Sequence, residues 1–177
     1  ELMINNQFLL QPRDAEKFTN NLWELLGRYI ANNTHLEKFD LDGCQLTDEK
    51  MTLLFGELVR SSSLQILLLN TNEFGIVGVR KMVPLLRQAN LSKLFMCNNA
   101  NINTECFGIL ISALDGKSIE VLDFSGCNIE DISALDRYNL PYLRRLELNQ
   151  TNIGIEGYIT ISNLLQKEDT RLEALYL

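Results

Sequence analysis

The side chains that could perform chemistry in this chain are few, and their spacing matches no metal-binding or nucleophilic motif. The four cysteines form no C-x-x-C pair, and the single histidine, His35, is not near any of them in sequence. A zinc site needs several such ligands at short spacings. A serine or cysteine nucleophile needs a histidine base oriented by an acid. We therefore expect no metal, no cofactor and no enzymatic activity. The cysteines are Cys44, Cys97, Cys106 and Cys127.

Two pairs of acidic residues, Asp40/Asp42 and Asp123/Glu147, have the residue types of an acid–base pair. The interpretation we favour is a solvated charged rim, because such charged faces are common on repeat proteins. The ten glycines are scattered and form no phosphate-binding loop.

Composition limits the partners and the compartment. The chain has 177 residues, 46% of them hydrophobic, and a net charge of −7 with a pI near 4.8. This acidic balance argues against nucleic acid and against an anionic membrane surface, which both require clustered Lys and Arg. There is no apolar run of the length that spans a bilayer. Unpaired thiols fit a reducing compartment, so we expect a cytoplasmic or nuclear location.

An internal repeat is the strongest pattern in the chain. Five segments fit L-x-x-L-x-L-x-x-(N/C)-x-L in phase, a sixth begins before the sequence stops, and a degenerate leading copy contains Leu2, Ile4, Gln7 and Leu9. The repeats start at Leu36, Leu64, Leu91, Ile119, Leu143 and Leu172, at spacings of 28, 27, 28, 24 and 29 residues. We expect one domain over residues 1–177, as part of a longer array.

Each repeat predicts a short strand followed by a helix. The x-L-x-L segment alternates, so its leucines point into the core while their neighbours point outward. Helical spacing of apolar residues then follows, beginning after the cap candidates Thr47 and Asp48 in the first full repeat. A longer amphipathic helix is predicted over about 13–32, and its apolar face is expected to contain Phe18, Leu22, Leu25, Leu26 and Tyr29. In the fifth repeat, the expected inward residues are Tyr158, Ile161, Leu164 and Leu165. The fourth repeat is short and contains Pro141, so only one or two helical turns are expected there.

Long repeats with a full helix and Asn or Cys at the turn resemble the ribonuclease-inhibitor-like class of leucine-rich-repeat proteins. The resemblance covers nearly the whole chain. It implies an α/β solenoid, a curved horseshoe with parallel strands on the concave side and helices on the convex side. It also implies binding of a partner protein rather than catalysis.

The repeat register predicts which residues face outward from the concave side. They are the two positions flanking the second apolar residue of each repeat. The predicted partner-binding residues are Lys38, Asp40, Ile66, Leu68, Lys93, Phe95, Val121, Asp123, Arg145 and Glu147. In the leading copy, Glu1 and Met3 hold these positions. Ile66, Leu68, Phe95 and Val121 would form an apolar centre with charges on both sides, as in many protein interfaces.

The leading functional hypothesis is a protein–protein interaction scaffold that binds its partner on the concave face. The alternatives are a GTPase-activating regulator resembling the Ran GTPase-activating type, and the ligand-sensing array of a NOD-like receptor. A competing interpretation of the concave apolar residues is β-propensity alone. The thiol of Cys97 lies in the same predicted face, where a passive role is favoured over a redox role.

Overall fold

The structure is a computed structural model that describes residues 3–4 and 6–177. Eight strands form one open sheet, in which they follow each other in chain order, and the helices pack on one side of this sheet. The strands are β1 (Met3–Ile4), β2 (Gln7–Leu9), β3 (Lys38–Asp40), β4 (Ile66–Leu68), β5 (Lys93–Phe95), β6 (Val121–Asp123), β7 (Arg145–Glu147) and β8 (Ala174–Tyr176). The helices are α1 (Pro12–Ala15), α2 (Asn20–Ala31), α3 (Asp48–Leu58), α4 (Ile76–Gln88), α5 (Thr104–Ala113), α6 (Ala134–Arg137) and α7 (Ile155–Gln166).

Strands β2 to β8 pair in parallel, each with its neighbour in sequence, so the predicted α/β solenoid is confirmed. The middle residue of each strand from β2 to β7 is buried while its neighbours are more exposed. This alternation is what a sheet packed on one side requires. The buried middle positions, from Phe39 and Leu67 to Leu146, form one core with the inward faces of the helices.

The predicted register of the leading copy is wrong. Gln7 and Leu9 lie opposite Lys38 and Asp40, the positions that had been assigned to Glu1 and Met3. The chain reverses at Asn6, where φ is 60°, and β1 therefore pairs antiparallel along the outer edge of β2. The inward residue is Phe8, whose ring packs edge-on against that of Phe39 at 5.5 Å. Glu1 lies outside the described residues.

The predicted helix over 13–32 is divided into α1 and α2, and its inward face differs from the expected one. Trp23, Leu26, Gly27 and Ile30 are buried, whereas the expected inward residues Leu22, Leu25 and Tyr29 are 41%, 55% and 57% exposed. A Cβ on Gly27 would stand 2.4 Å from the carbonyl oxygen of Leu54, so this glycine lets α2 approach α3 closely.

In helix α7, near the last described strand, two residues that were expected to face inward are also exposed. Gly154 precedes α7 as Gly75 precedes α4, which aligns Tyr158 with Val79 and Leu165 with Leu86. The α4 pair is buried in a helix that packs against both α3 and α5, but Tyr158 and Leu165 are 56% and 50% exposed. Their expected burial is therefore wrong, although they hold the same helical phase as the buried α4 pair, because no described repeat follows to cover them.

Side chains tie neighbouring repeats together at the turns after the strands. Asn72 Oδ1 accepts a hydrogen bond from the Leu46 N–H, and its Nδ2 donates to the carbonyl of Leu41, both in the preceding repeat. Asn99 repeats the arrangement with the N–H of Asn72 and the carbonyl of Leu69. Both asparagines are buried, so the amides satisfy backbone groups that water does not reach.

The helix predictions hold elsewhere. Thr47 caps α3 by accepting from the Lys50 N–H, while Asp48 Oδ1 instead accepts from the N–H groups of Gly75 and Gly78 in the next repeat. The short fourth repeat contains the single-turn helix α6, as expected from its length and Pro141. No helix among the described residues is long and apolar enough to cross a bilayer.

Candidate functional site

The ten predicted site residues lie on five adjacent strands, in two rows on the side of the sheet away from the helices. In the first row, at the start of each strand, the register aligns Lys38, Ile66, Lys93, Val121 and Arg145. In the second row, at the end of each strand, it aligns Asp40, Leu68, Phe95, Asp123 and Glu147. We call this surface the concave face. The structure brings all ten together, and their role in binding stays a prediction.

The apolar residues of the concave face are half-buried and lie on three strands. Leu68 and Phe95 are direct neighbours in the second row. In the first row Lys93 lies between Ile66 and Val121, so the predicted apolar centre is interrupted by one cation there. The apolar surface is therefore continuous on the second row only.

Charges on the concave face are sorted by row. All its basic residues lie in the first row, and its acidic residues lie in the second row or beyond the strand ends. Two ion pairs connect the rows within a strand: Lys38 to Asp40 at 3.4 Å, and Arg145 to Glu147 at 2.7 Å. The Arg145 guanidinium also lies 5.0 Å from the ring centre of Tyr176.

Beyond the second row, a hydrogen-bonded chain crosses three repeats. Asp42 accepts from the backbone N–H of Asn70 at 2.8 Å and from its side-chain Nδ2 at 2.9 Å. The Oδ1 of Asn70 in turn accepts from the N–H of Cys97 at 2.8 Å. Burial raises the pKa of Asp42, with Asp40 adding to the shift, while the bonds from Asn70 oppose it. The chain fixes these polar groups at the edge of the concave face.

Cys97 is the one cysteine that is not fully buried, and it lies at this edge. Burial, followed by the negative charges of Asp123, Asp42 and Glu147, raises the pKa of its thiol to about 11. These charges also show that the carboxylates from three different repeats act on one point of the surface. The thiol is protonated at neutral pH, which supports the passive role.

We expect Cys97 to react slowly with iodoacetamide at neutral pH, because only the thiolate is nucleophilic. The alkylation rate should keep rising with pH up to about 11. The substitution Asp123→Asn should shift the curve to lower pH, because it removes the largest repulsive charge. Mass spectrometry of alkylated native protein measures the rate. A rate that levels off below about pH 9, near the ordinary thiol pKa, would contradict the assigned environment.

The sequence pattern missed one residue of the second row, and it missed the role of one residue just beyond that row. Leu9, 47% exposed, occupies the second row beside Asp40, because β2 begins later than the leading copy suggested. Asn70 connects Asp42 to Cys97, a role that depends on side-chain direction rather than on spacing. The repeat position of Phe8 and Leu10, matching Phe39 and Leu41, was the available signal for Leu9.

The remaining reactive groups do not converge. Cys44, Cys106 and Cys127 are buried, and burial raises the thiol pKa of each, to about 12 for Cys44 and Cys127. In the described part of the chain, no group of three or more His, Cys, Asp or Glu side chains is placed to hold a metal ion.

Comparisons with known proteins agree with this architecture. A family model described as Leucine Rich repeat matches residues 32–49 and 117–135. The C-terminal domain of tropomodulin from Caenorhabditis elegans superposes with a TM-score of 0.63 at 14% identity, over 82% of this chain and 90% of that one. Internalin C2 from Listeria monocytogenes superposes with a TM-score of 0.54 at 21% identity, over 85% of this chain and 65% of that one. No curated protein matches the sequence.

At these identities the solved structures show the fold alone, and the ribonuclease-inhibitor-like subclass stays a prediction. The repeat pattern, the parallel sheet in chain order, the family model and the two structural neighbours nevertheless all point the same way. The chain has the fold of a leucine-rich-repeat solenoid, and two of its segments match the Leucine Rich repeat model.

Proposed function

We propose that this protein is an interaction scaffold that binds a partner protein on its concave face. The observation that carries the proposal is the pair Leu68 and Phe95, two large apolar side chains adjacent on an open sheet surface. A soluble protein seldom leaves such a surface without a use. Charged residues surround the pair, which is the arrangement of an apolar interface core within a polar rim.

The geometry of the scaffold supports the same proposal. The strands present their outward residues in rows aligned by the sheet register, so a partner meets side chains that are positioned by hydrogen-bonded strands. Leucine-rich-repeat solenoids are commonly protein-interaction scaffolds, and their concave surfaces are extended enough to accept another protein. Tyr176, 43% exposed, and Leu9 extend the apolar content of the second row toward its two ends.

The test is an affinity capture with wild-type protein beside Phe95→Glu, read by quantitative mass spectrometry. A carboxylate at the centre of an apolar contact must be desolvated without a counter-charge. Partners bound on the concave face should therefore be depleted at least tenfold, the loss that a residue at the centre of an interface typically causes. The fold of the variant is checked by its circular dichroism and melting temperature.

The matched control is Val77→Glu, which places the same charge on an exposed residue of helix α4, on the opposite side of the solenoid. A glutamate in the first helical turn is also compatible with the helix dipole. Partners lost with Phe95→Glu and kept with Val77→Glu support the concave face. Partners kept with both, or lost only with Val77→Glu, contradict the proposal.

A further inference from the structure

We infer that the partner contacts the concave face with a linear segment that carries an apolar side chain and a neighbouring basic side chain. The apolar side chain packs on Leu68 and Phe95, and the basic one pairs with the carboxylate of Asp123. This inference rests on the proposed function and adds the chemistry of the bound segment.

The spacing of the two contacts fits one segment. Phe95 and Asp123 lie opposite each other on adjacent strands, so their Cα atoms are about 5 Å apart. Leu68 lies one strand further along the same row. An apolar and a basic side chain close together in a peptide therefore reach both places at once.

Asp123 differs from the other carboxylates of the second row because no cation of the described residues forms an ion pair with it; its charge acts on Arg145 of the next strand only from a longer distance. Asp40 and Glu147 are each paired with the basic residue two positions earlier on their own strand. The equivalent residue before Asp123 is Val121. Among the contacts of the described residues, the side chain of Asp123 accepts one hydrogen bond, from the Ser125 N–H at 2.9 Å, and has no ion pair.

Covering this carboxylate with a neutral partner would lower the affinity of the complex. Asp123 is already 9% exposed, so a partner on Phe95 would remove most of its remaining water. A carboxylate that loses water without gaining a counter-charge destabilises a complex, whereas a cation on the partner offsets the loss. Leu68 and Phe95 therefore favour an apolar side chain on the bound segment, and Asp123 favours a basic side chain next to it.

Lys93 gives the segment a direction. It lies in the first row of the strand that carries Phe95, two residues earlier, and it has no ion pair in the described part of the chain. An acceptor group on the bound segment is favoured beside Lys93, and a donor is favoured beside Asp123. A segment lying in the reverse sense would bring like charges together, which disfavours the wrong orientation.

The inference is tested with a library of random peptides displayed on phage, selected on the full 177-residue chain. Selected peptides should combine an aliphatic or aromatic residue with a nearby Arg or Lys. Asp123→Asn should weaken the best synthetic peptide about tenfold or more, the loss expected for a desolvated charge pair. Asparagine keeps an oxygen for the Ser125 N–H, so the turn is preserved. The matched control, Glu156→Gln on the exposed surface of α7, removes the same charge and should leave affinity unchanged.

The outcomes separate this inference from the proposed function. Peptides that are lost with Phe95→Glu, contain no basic residue and bind Asp123→Asn as well as wild type would overturn the inference and leave the concave face as the binding surface. Peptides that bind Phe95→Glu unchanged would contradict the concave face itself. If no peptide is recovered, a linear segment is excluded, while the affinity capture with Phe95→Glu still judges the proposed function.

Discussion

Leu94→Ala is expected to lower the free energy of unfolding by about 2–5 kcal/mol, the range for removing a buried leucine. Leu94 is the middle residue of β5, fully buried, and is aligned with Leu67 and Leu122 in the neighbouring strands. These leucines form one layer of the core, and the layer is held by strands on both sides. The cavity that alanine would leave at position 94 therefore cannot easily be filled by movement of the neighbouring strands. Urea denaturation followed by circular dichroism measures the effect.

The control is the adjacent residue, Lys93, whose side chain points to the opposite side of the sheet. Lys93→Ala removes no core contact and should change the free energy of unfolding by no more than about 0.5 kcal/mol. The comparison tests the strand register directly, because a shift of one residue would exchange the two positions. Equal destabilisation by both substitutions would show that the register is wrong.

Asn99→Ala is expected to destabilise the protein by about 3 kcal/mol, although it removes only a polar side chain. Asn99 is fully buried, and its amide serves the Asn72 N–H and the carbonyls of Leu69, Met96 and Cys97. Alanine leaves the Asn72 N–H without a partner and out of reach of water, at a cost of about 1–3 kcal/mol. The three carbonyls each lose one hydrogen bond but keep another, from Asn72 Nδ2, the Cys127 thiol and the Thr71 N–H respectively. Urea denaturation gives the size of the loss.

Cys127→Ala is the matched control, since Cys127 occupies the same position of the next repeat. Its thiol makes one weak hydrogen bond, to the carbonyl of Met96, so the loss should be about 1 kcal/mol. Equal losses at the two positions would contradict the structural role assigned to the asparagine amide. A larger loss at Cys127 would do the same.

The sequence predicted the strands well wherever the full repeat motif is present. From Leu36 onward, the alternation of apolar and polar residues placed each strand and both outward rows, because register follows from the period of two. The leading copy failed for a physical reason. Its inward pair, Phe8 and Leu10, lacks the leucine or isoleucine that opens the other repeats, and the reversal at Asn6 creates an antiparallel strand that the motif does not describe.

The helix faces were harder to predict. Helix α2 contains apolar residues at Leu22, Trp23, Leu25, Leu26 and Ile30, which spread over an arc of roughly 160° at 3.6 residues per turn, wider than the buried face needs. Periodicity then allows more than one inward face, and packing against α3 decides among them. For α7 the inward face was correct in phase, but an inward position is buried only when a following repeat covers it.

The charge pattern of the concave face was predictable in part. The rows follow from the repeat, so the residue types in each row can be identified from sequence. The ion pairs of Lys38 and Arg145 depend on rotamers and were not predicted. The isolation of Asp123 is a consequence of these pairs, and it is visible only once the partners of its neighbours are known.

The asparagine bridges have a consequence for how the molecule opens. Asn72 and Asn99 link the first three full repeats through buried amides, whereas Cys127 offers a thiol and Thr151 bonds only within its own repeat. In a one-dimensional array, cooperativity depends on the coupling between neighbours. At this turn position, the side-chain coupling between neighbouring repeats is therefore stronger in the first three full repeats than in the later ones. We expect the backbone amide hydrogens of the first three full repeats to exchange with solvent together, and partial unfolding to start from the later repeats.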